Sequence, residues 1–184
     1  MKLHFAKPLE TIAWLNTSKH LNLEQYRGKV ILIEAFQMLC PGCVSHSLPQ
    51  AMRVRQIFSE KDVAVIGLHT VFEHHTAQGT KDALQAFLHE YRISFPVGID
   101  APSDDGGTPK TMTAYNMQGT PTAILIDRNG YLRKHKFGSE QDMVLGAEIM
   151  SLLKEGGRAV AQENVVAQGR EGCTDEGCVA PLNV

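Results

Sequence analysis

The sequence lacks an apolar run long enough to cross a bilayer, which excludes a membrane-spanning helix. The opening Met1-Lys2-Leu3-His4-Phe5-Ala6-Lys7-Pro8 leads into no apolar stretch that would serve as a signal-peptide core. Taking Met1 as the start, the expectation is a cytoplasmic protein without a membrane partner. Neither charge is in excess: the formal net charge is −2, so nothing electrostatic points to nucleic acid or an anionic surface. Internal repeats and low-complexity tracts are missing too. Apolar residues make up 43% and charged residues 21%, a balance that argues against wholesale disorder. Cysteines number only four, in two close pairs, Cys40/Cys43 and Cys173/Cys178. In a reducing compartment such pairs are more often catalytic or metal-binding than structural staples.

What is present reads as one domain over 1–156 followed by a polar tail over 157–184. Lys29 to Ile33 is a continuous β-branched run that suits a strand buried on both faces, and Val63 to Leu68 is a second. A helix is predicted from about Pro41 to Phe58, kinked at Pro49 where an interior proline removes one hydrogen bond. Further helices are expected over about 80–91, 109–115 and 141–154, with a short strand over 95–99. Thr122 to Ile126 and Tyr131 to Phe137 flank Asp127-Arg128-Asn129-Gly130, and Asn-Gly between two apolar runs is a strong hairpin signal. This order predicts an α/β protein with a central mixed sheet and helices on both faces.

The spacing Cys40-Pro41-Gly42-Cys43 falls where a buried strand gives way to a helix. Free amides and the dipole at a helix start stabilise a thiolate, so the Cys40 pKa should fall below its free value of about 8.5. Pro41 fits the first turn, where its missing N–H costs nothing. Cys40 would attack a substrate disulfide and Cys43 would resolve the mixed disulfide. Half of a zinc knuckle and two unrelated core thiols are the competing readings. Glu34, inside the apolar run, should point into the interior behind the pair. There it is either a proton acceptor for Cys43 or a strand-end polar group paired with a lysine or water. Pro121 enters a strand that should be central. A cis bond would leave the Thr120 backbone free to meet an extended substrate, while a trans proline at a strand start is the alternative. Thr120, Pro121, Pro41 and Leu39 together make up the expected substrate-facing surface.

Lys29 to Phe36, the Cys-Pro-Gly-Cys run, Gly119-Thr120-Pro121 and Leu125 to Gly130 together resemble the thioredoxin-like redoxins of the TlpA/ResA type. Trp14 to Thr17, Leu21 to Val30 and Gly67 to Glu73 are similar to a narrower branch. It holds the C-terminal redoxin domain of DipZ proteins and the domain found beside NHL repeats. The resemblance covers about residues 12–154. It implies a thioredoxin fold with an N-terminal extension and an insertion between the central strand and helix. It also implies Cys40 as nucleophile, Cys43 as resolving thiol, Glu34 as buried acid and Pro121 as cis-proline. Leu39 departs from the family's usual aromatic or polar residue, and Pro-Gly replaces the Gly-Pro of thioredoxin.

In the tail, Cys173 and Cys178 would diverge on a helix, whereas Gly172, Asp175 and Gly177 predict a turn in which a disulfide closes. Relay of electrons to the main pair, metal capture and an inert tail are all open for them. His69, His74 and His75 cluster near the expected sheet edge, and with the tail cysteines would offer a mixed metal site, although no stretch has a zinc-ligand spacing. No cofactor or resident metal is expected. The leading expectation is a thiol–disulfide oxidoreductase with a disulfide-bearing protein or small molecule as substrate and an unidentified electron donor. A thiol peroxidase and a Cys/His metal carrier are the alternatives, the former disfavoured by Gln37-Met38-Leu39 ahead of Cys40.

Overall fold

A strand that is apolar at odd and even positions alike can only lie in the middle of a sheet. Every residue of Val30–Phe36 (β2) is buried, as is every residue of Val63–His69 (β3). The computed structural model of the protein describes residues 3–104, 106–156, 172–174 and 177–179. Its sheet has the strand order β1-β4-β3-β2-β5-β6, with β1 at Thr11–Leu15, β4 at Val97–Asp100, β5 at Thr122–Ile126 and β6 at Leu132–Phe137. β2 runs parallel to β3 and antiparallel to β5, so the sheet is mixed and β2 is its centre. β6, Leu-Arg-Lys-His-Lys-Phe, closes one edge with charged, largely exposed side chains, which discourages pairing with another chain.

Alternation along the strands divides the core in two. Val30, Leu32, Phe36, Val63, Val65, Ala123 and Leu125 face one way. They pack with residues of Leu48–Ile57 (α1), Lys81–Glu90 (α3) and Asp142–Gly156 (α5). Ile31, Ile33, Ile66, Leu68, Ile124 and Ile126 face the other. They pack with Met112 of Lys110–Ala114 (α4), with Tyr115 and with Leu9 of the N-terminal extension. Among the described residues, helices therefore cover both faces, α1, α3 and α5 on one side and α4 with the 3-10 turn Leu23–Tyr26 on the other. His75–Gln78 (α2) is one turn between β3 and α3.

The helix after Cys40 differs from a simple proline kink. Cys43–Ser47 is a π-helical turn that leads directly into α1, with Pro49 in the first turn of the regular helix. The Leu48 N–H bonds back to the Cys43 carbonyl, five residues earlier. The wider turn accommodates the proline, whose ring would clash with the carbonyl four residues back in an ordinary helix. β1 pairs antiparallel with β4 and arises in the N-terminal extension, where its alternation is weak. In the tail, Gly172–Thr174 (β7) and Gly177–Val179 (β8) form an antiparallel pair with Cys173 in register opposite Cys178. The rest of the expected tail, and hence the 156/157 domain boundary, lies outside the described residues.

Candidate active site

The end of β2 delivers the chain to a short loop, Gln37 to Cys40, and the helical segment starts at once at Pro41. Cys40 and Cys43 are joined by a disulfide, with Cα atoms 5.2 Å apart. Cys43 is fully buried, while Cys40 is only partly so. The Cys43 N–H donates to Cys40 Sγ at 3.2 Å, and the Cys43 and Val44 N–H groups both donate to the Cys40 carbonyl at 3.1 Å. That first bond aims a backbone donor at the more exposed of the two sulfurs.

The facing wall is the turn before β5. The Thr120–Pro121 peptide is cis, and the Thr120 carbonyl oxygen lies 3.5 Å from Cys40 Sγ. Gly42 is seated under Pro121, where an added Cβ would come within 3.3 Å of Pro121 Cδ. Leu39 is 56% exposed and Pro41 is exposed, so the rim around Cys40 is apolar. Phe137, against which a Cβ on Gly119 would press at 3.0 Å, extends this rim beside the same turn.

Glu34 sits on the β2 face shared by Leu32, Phe36 and Cys43. Its neighbours across the two ladders are Gly67 on β3 and Ala123 on β5, the smallest residues that could flank a carboxyl there. Only 2% of Glu34 is exposed, and burial pushes its pKa up to about 8. The Ser47 hydroxyl, on the π turn, holds the shift back, although its Oγ meets no partner at full hydrogen-bond geometry. Among the described residues no lysine forms an ion pair with this carboxyl, and desolvation outweighs the Ser47 contact to its charged form.

Two residues that the sequence reading passed over complete the site. Gln37 and Gln78 are each 1% exposed and bond to each other, Gln78 Nε2 donating to Gln37 Oε1 at 3.0 Å. Gln37 was findable as a polar residue continuing the buried β2 run. Gln78 lies in a polar stretch and had no local signal. The histidines differ in burial: His69 lies against Phe36 with its pKa lowered by desolvation to about 4, His74 and His75 are exposed, and His69 and His75 border one cavity. Among the described residues no three His, Cys, Asp or Glu side chains gather to hold a metal. The side chains of Cys173 and Cys178 lie outside the described residues.

Residues 10–148 match the family model described as Redoxin. The chain belongs to the Redoxin family. This redoxin is 31% identical over 147 residues to Protein DipZ of Mycobacterium bovis, covering 77% of the chain and 19% of that protein. With the thiol-disulfide oxidoreductase ResA of Bacillus cereus it shares 27% identity over 122 residues, covering 66% of the chain and 62% of ResA. Among solved structures, a thiol-disulfide isomerase from Corynebacterium glutamicum is 45% identical, with a TM-score of 0.78 over 82% of the chain and 96% of the isomerase. A thioredoxin-like superfamily protein is 58% identical, also at 0.78, over 81% of the chain and 96% of that protein. The thioredoxin-like fold expected from the motifs is the fold observed.

Proposed function

We infer that the redoxin exchanges disulfides through Cys40 and Cys43 by a mixed-disulfide mechanism. It is an oxidoreductase of the thiol–disulfide class. The observation that carries this reading is the disulfide at the mouth of the helix, with one sulfur partly exposed and the other fully buried. In the reducing direction, the Cys40 thiolate attacks a substrate disulfide and expels one substrate thiolate. The Cys43 thiol then loses its proton and attacks Cys40 Sγ, releasing the second substrate thiolate and closing the Cys40–Cys43 bond. Two electrons pass to the substrate and two protons follow. Glu34, poised near neutrality on the face it shares with Cys43, takes the Cys43 proton.

The Thr120 carbonyl beside Cys40, with Pro121, Pro41 and Leu39 around it, is read as the surface for an extended, apolar stretch of substrate. In a cytoplasmic, reducing pool the pair would be held as a dithiol and would act as a reductase. Cys173 and Cys178, opposite each other in register, are read as a second dithiol able to pass electrons to the first.

Trapping experiments test the roles. Cys43→Ser should accumulate a mixed disulfide between Cys40 and a substrate polypeptide, visible as a reductant-sensitive band. Cys40→Ser should accumulate none. Equal trapping by both variants would reverse or abolish the assignment, and turnover of hydrogen peroxide faster than of disulfides would favour the peroxidase reading instead.

A further inference from the structure

Gln78 ends a single helical turn whose other residues face solvent, and between 71 and 79 it is the one residue that is fully buried. Its amide is fully used. Oε1 accepts from the Leu39 N–H at 3.1 Å, and Nε2 donates to Gln37 Oε1 at 3.0 Å and to the Glu73 carbonyl at 2.9 Å. The Leu39 N–H can only donate and the Glu73 carbonyl can only accept, so the amide has one workable orientation. Gln37 continues the network. Its Oε1 accepts from the Phe72 N–H at 3.2 Å, and its Nε2 reaches Glu73 Oε1 at 3.3 Å and Thr120 Oγ1 at 3.5 Å. Its backbone carbonyl takes the Cys40 N–H at 3.3 Å.

Three chain segments therefore meet on two amides: the 71–79 segment, the Leu39–Cys40 loop and the turn at Thr120. We propose that Gln78, acting with Gln37, is a positioning residue for exchange with polypeptide disulfides, setting the rim on which the substrate chain lies. The proposal rests on the oxidoreductase reading above. Within the 71–79 segment, His74 sits in the left-handed region at φ 52°, a conformation that persists only where its surroundings hold it. The segment's hold on the domain is chiefly polar, because residues 73–77 are exposed and only Phe72 packs on the core. Leu39, held through its own N–H by Gln78, stands next to the nucleophile and projects into solvent. A polypeptide passing over Thr120 touches this rim, whereas a small disulfide needs only Cys40 Sγ. Loosening the network should therefore weaken polypeptide binding and leave the intrinsic exchange chemistry in place.

The test compares insulin with a small aromatic disulfide, dithiobis-nitrobenzoate, for the full chain and three variants. Gln78→Ala removes every side-chain bond. Gln78→Glu keeps an acceptor for Leu39 but sets a carboxylate oxygen against Gln37 Oε1 and the Glu73 carbonyl. Gly79→Ala keeps Gln78 but puts a Cβ 2.5 Å from the His75 carbonyl oxygen, displacing the turn. Each should lower kcat/KM on insulin about tenfold, chiefly through KM, with the small disulfide changed less than about twofold. Equal losses on both substrates, or no loss on either, would overturn the proposal. If Gln78→Ala does not fold, as judged by a lost melting transition, the other two variants decide the matter by the same ratio. A wild-type chain inactive on the small disulfide would instead sink the oxidoreductase reading itself.

Discussion

At the scale of one residue, Glu34 makes stability depend on pH. Burial raises its folded pKa to about 8 from an ordinary 4.5. Between those values the folded chain holds a proton that the unfolded chain has released, so stability falls as pH rises through this window and levels off above it. Glu34→Gln, a neutral side chain of similar shape, removes that dependence. The variant should be more stable than wild type by on the order of 2–4 kcal/mol at about pH 9, with the difference vanishing towards about pH 4.5. Thermal melts across that range measure it. The same substitution should slow mixed-disulfide resolution at least tenfold and leave the first attack within about twofold, as rapid-quench kinetics would resolve. A resolution rate that stays unchanged would leave the carboxyl with a structural role only. The wild-type chain accepts a stability cost here, a pattern common where a buried acid has work to do.

At the scale of elements, the site depends on how β2, β3 and β5 are matched. Gly67 lies opposite Glu34, and a Cβ there would come within 2.9 Å of Val97 Cγ2 and 3.2 Å of the Phe95 ring. Gly67→Ala should therefore destabilise the fold by about 1–3 kcal/mol through overpacking, measured as a shift in the denaturant midpoint. By contrast, Gly138→Ala should act through its φ of 81° alone, as a Cβ there meets nothing within 4 Å. Much of this layer was legible in sequence. Continuous apolar runs marked β2, β3 and β5, and Asn129-Gly130 marked the turn before β6. Thr80 caps α3 by accepting from the Ala83 N–H, as an N-cap threonine should. β1 was not legible. It is an edge strand with a bulge between Thr11 and Ala13, and its pairing with β4 depends on tertiary contacts that local pattern does not encode. The π turn at Cys43–Ser47 was hidden for the same reason, since a proline signals a disturbed helix without saying which repair is used. In the site, the Cys pair and Glu34 stood out by residue type and position. Gln78 did not, because the partners that tie it to the site, Leu39 and Gln37, lie 39 and 41 residues away along the chain.

At the scale of the whole molecule, reach governs whether Cys173 and Cys178 can serve the main pair. Arg133 joins Asp127, just past β5, to Glu155 near the end of α5. Pro121 and the Cys pair lie at the other end of β5, five strand residues or about 17 Å away. The domain thus releases the chain at Gly156 on the side opposite its active site. Fifteen residues separate Gly156 from Gly172, and their contour of up to about 50 Å exceeds that distance more than twofold. Cys173 and Cys178 stand opposite each other in the register of β7 and β8. Glu171, Asp175 and Glu176 make this stretch of the sequence acidic. As a relay, one of these thiolates would attack the Cys40–Cys43 bond, the second would close the tail disulfide, and an external protein dithiol would reduce that disulfide again. The Cys173→Ser/Cys178→Ser double variant should then retain insulin reduction driven by dithiothreitol within about twofold, because a small dithiol reaches the Cys40–Cys43 bond directly. With a thioredoxin as sole reductant, turnover should fall at least tenfold. Equal turnover of wild type and variant with both reductants would remove the tail from the electron path. A loss with dithiothreitol as well would mean that the Cys40–Cys43 bond is closed to direct reduction and that every electron enters through the tail.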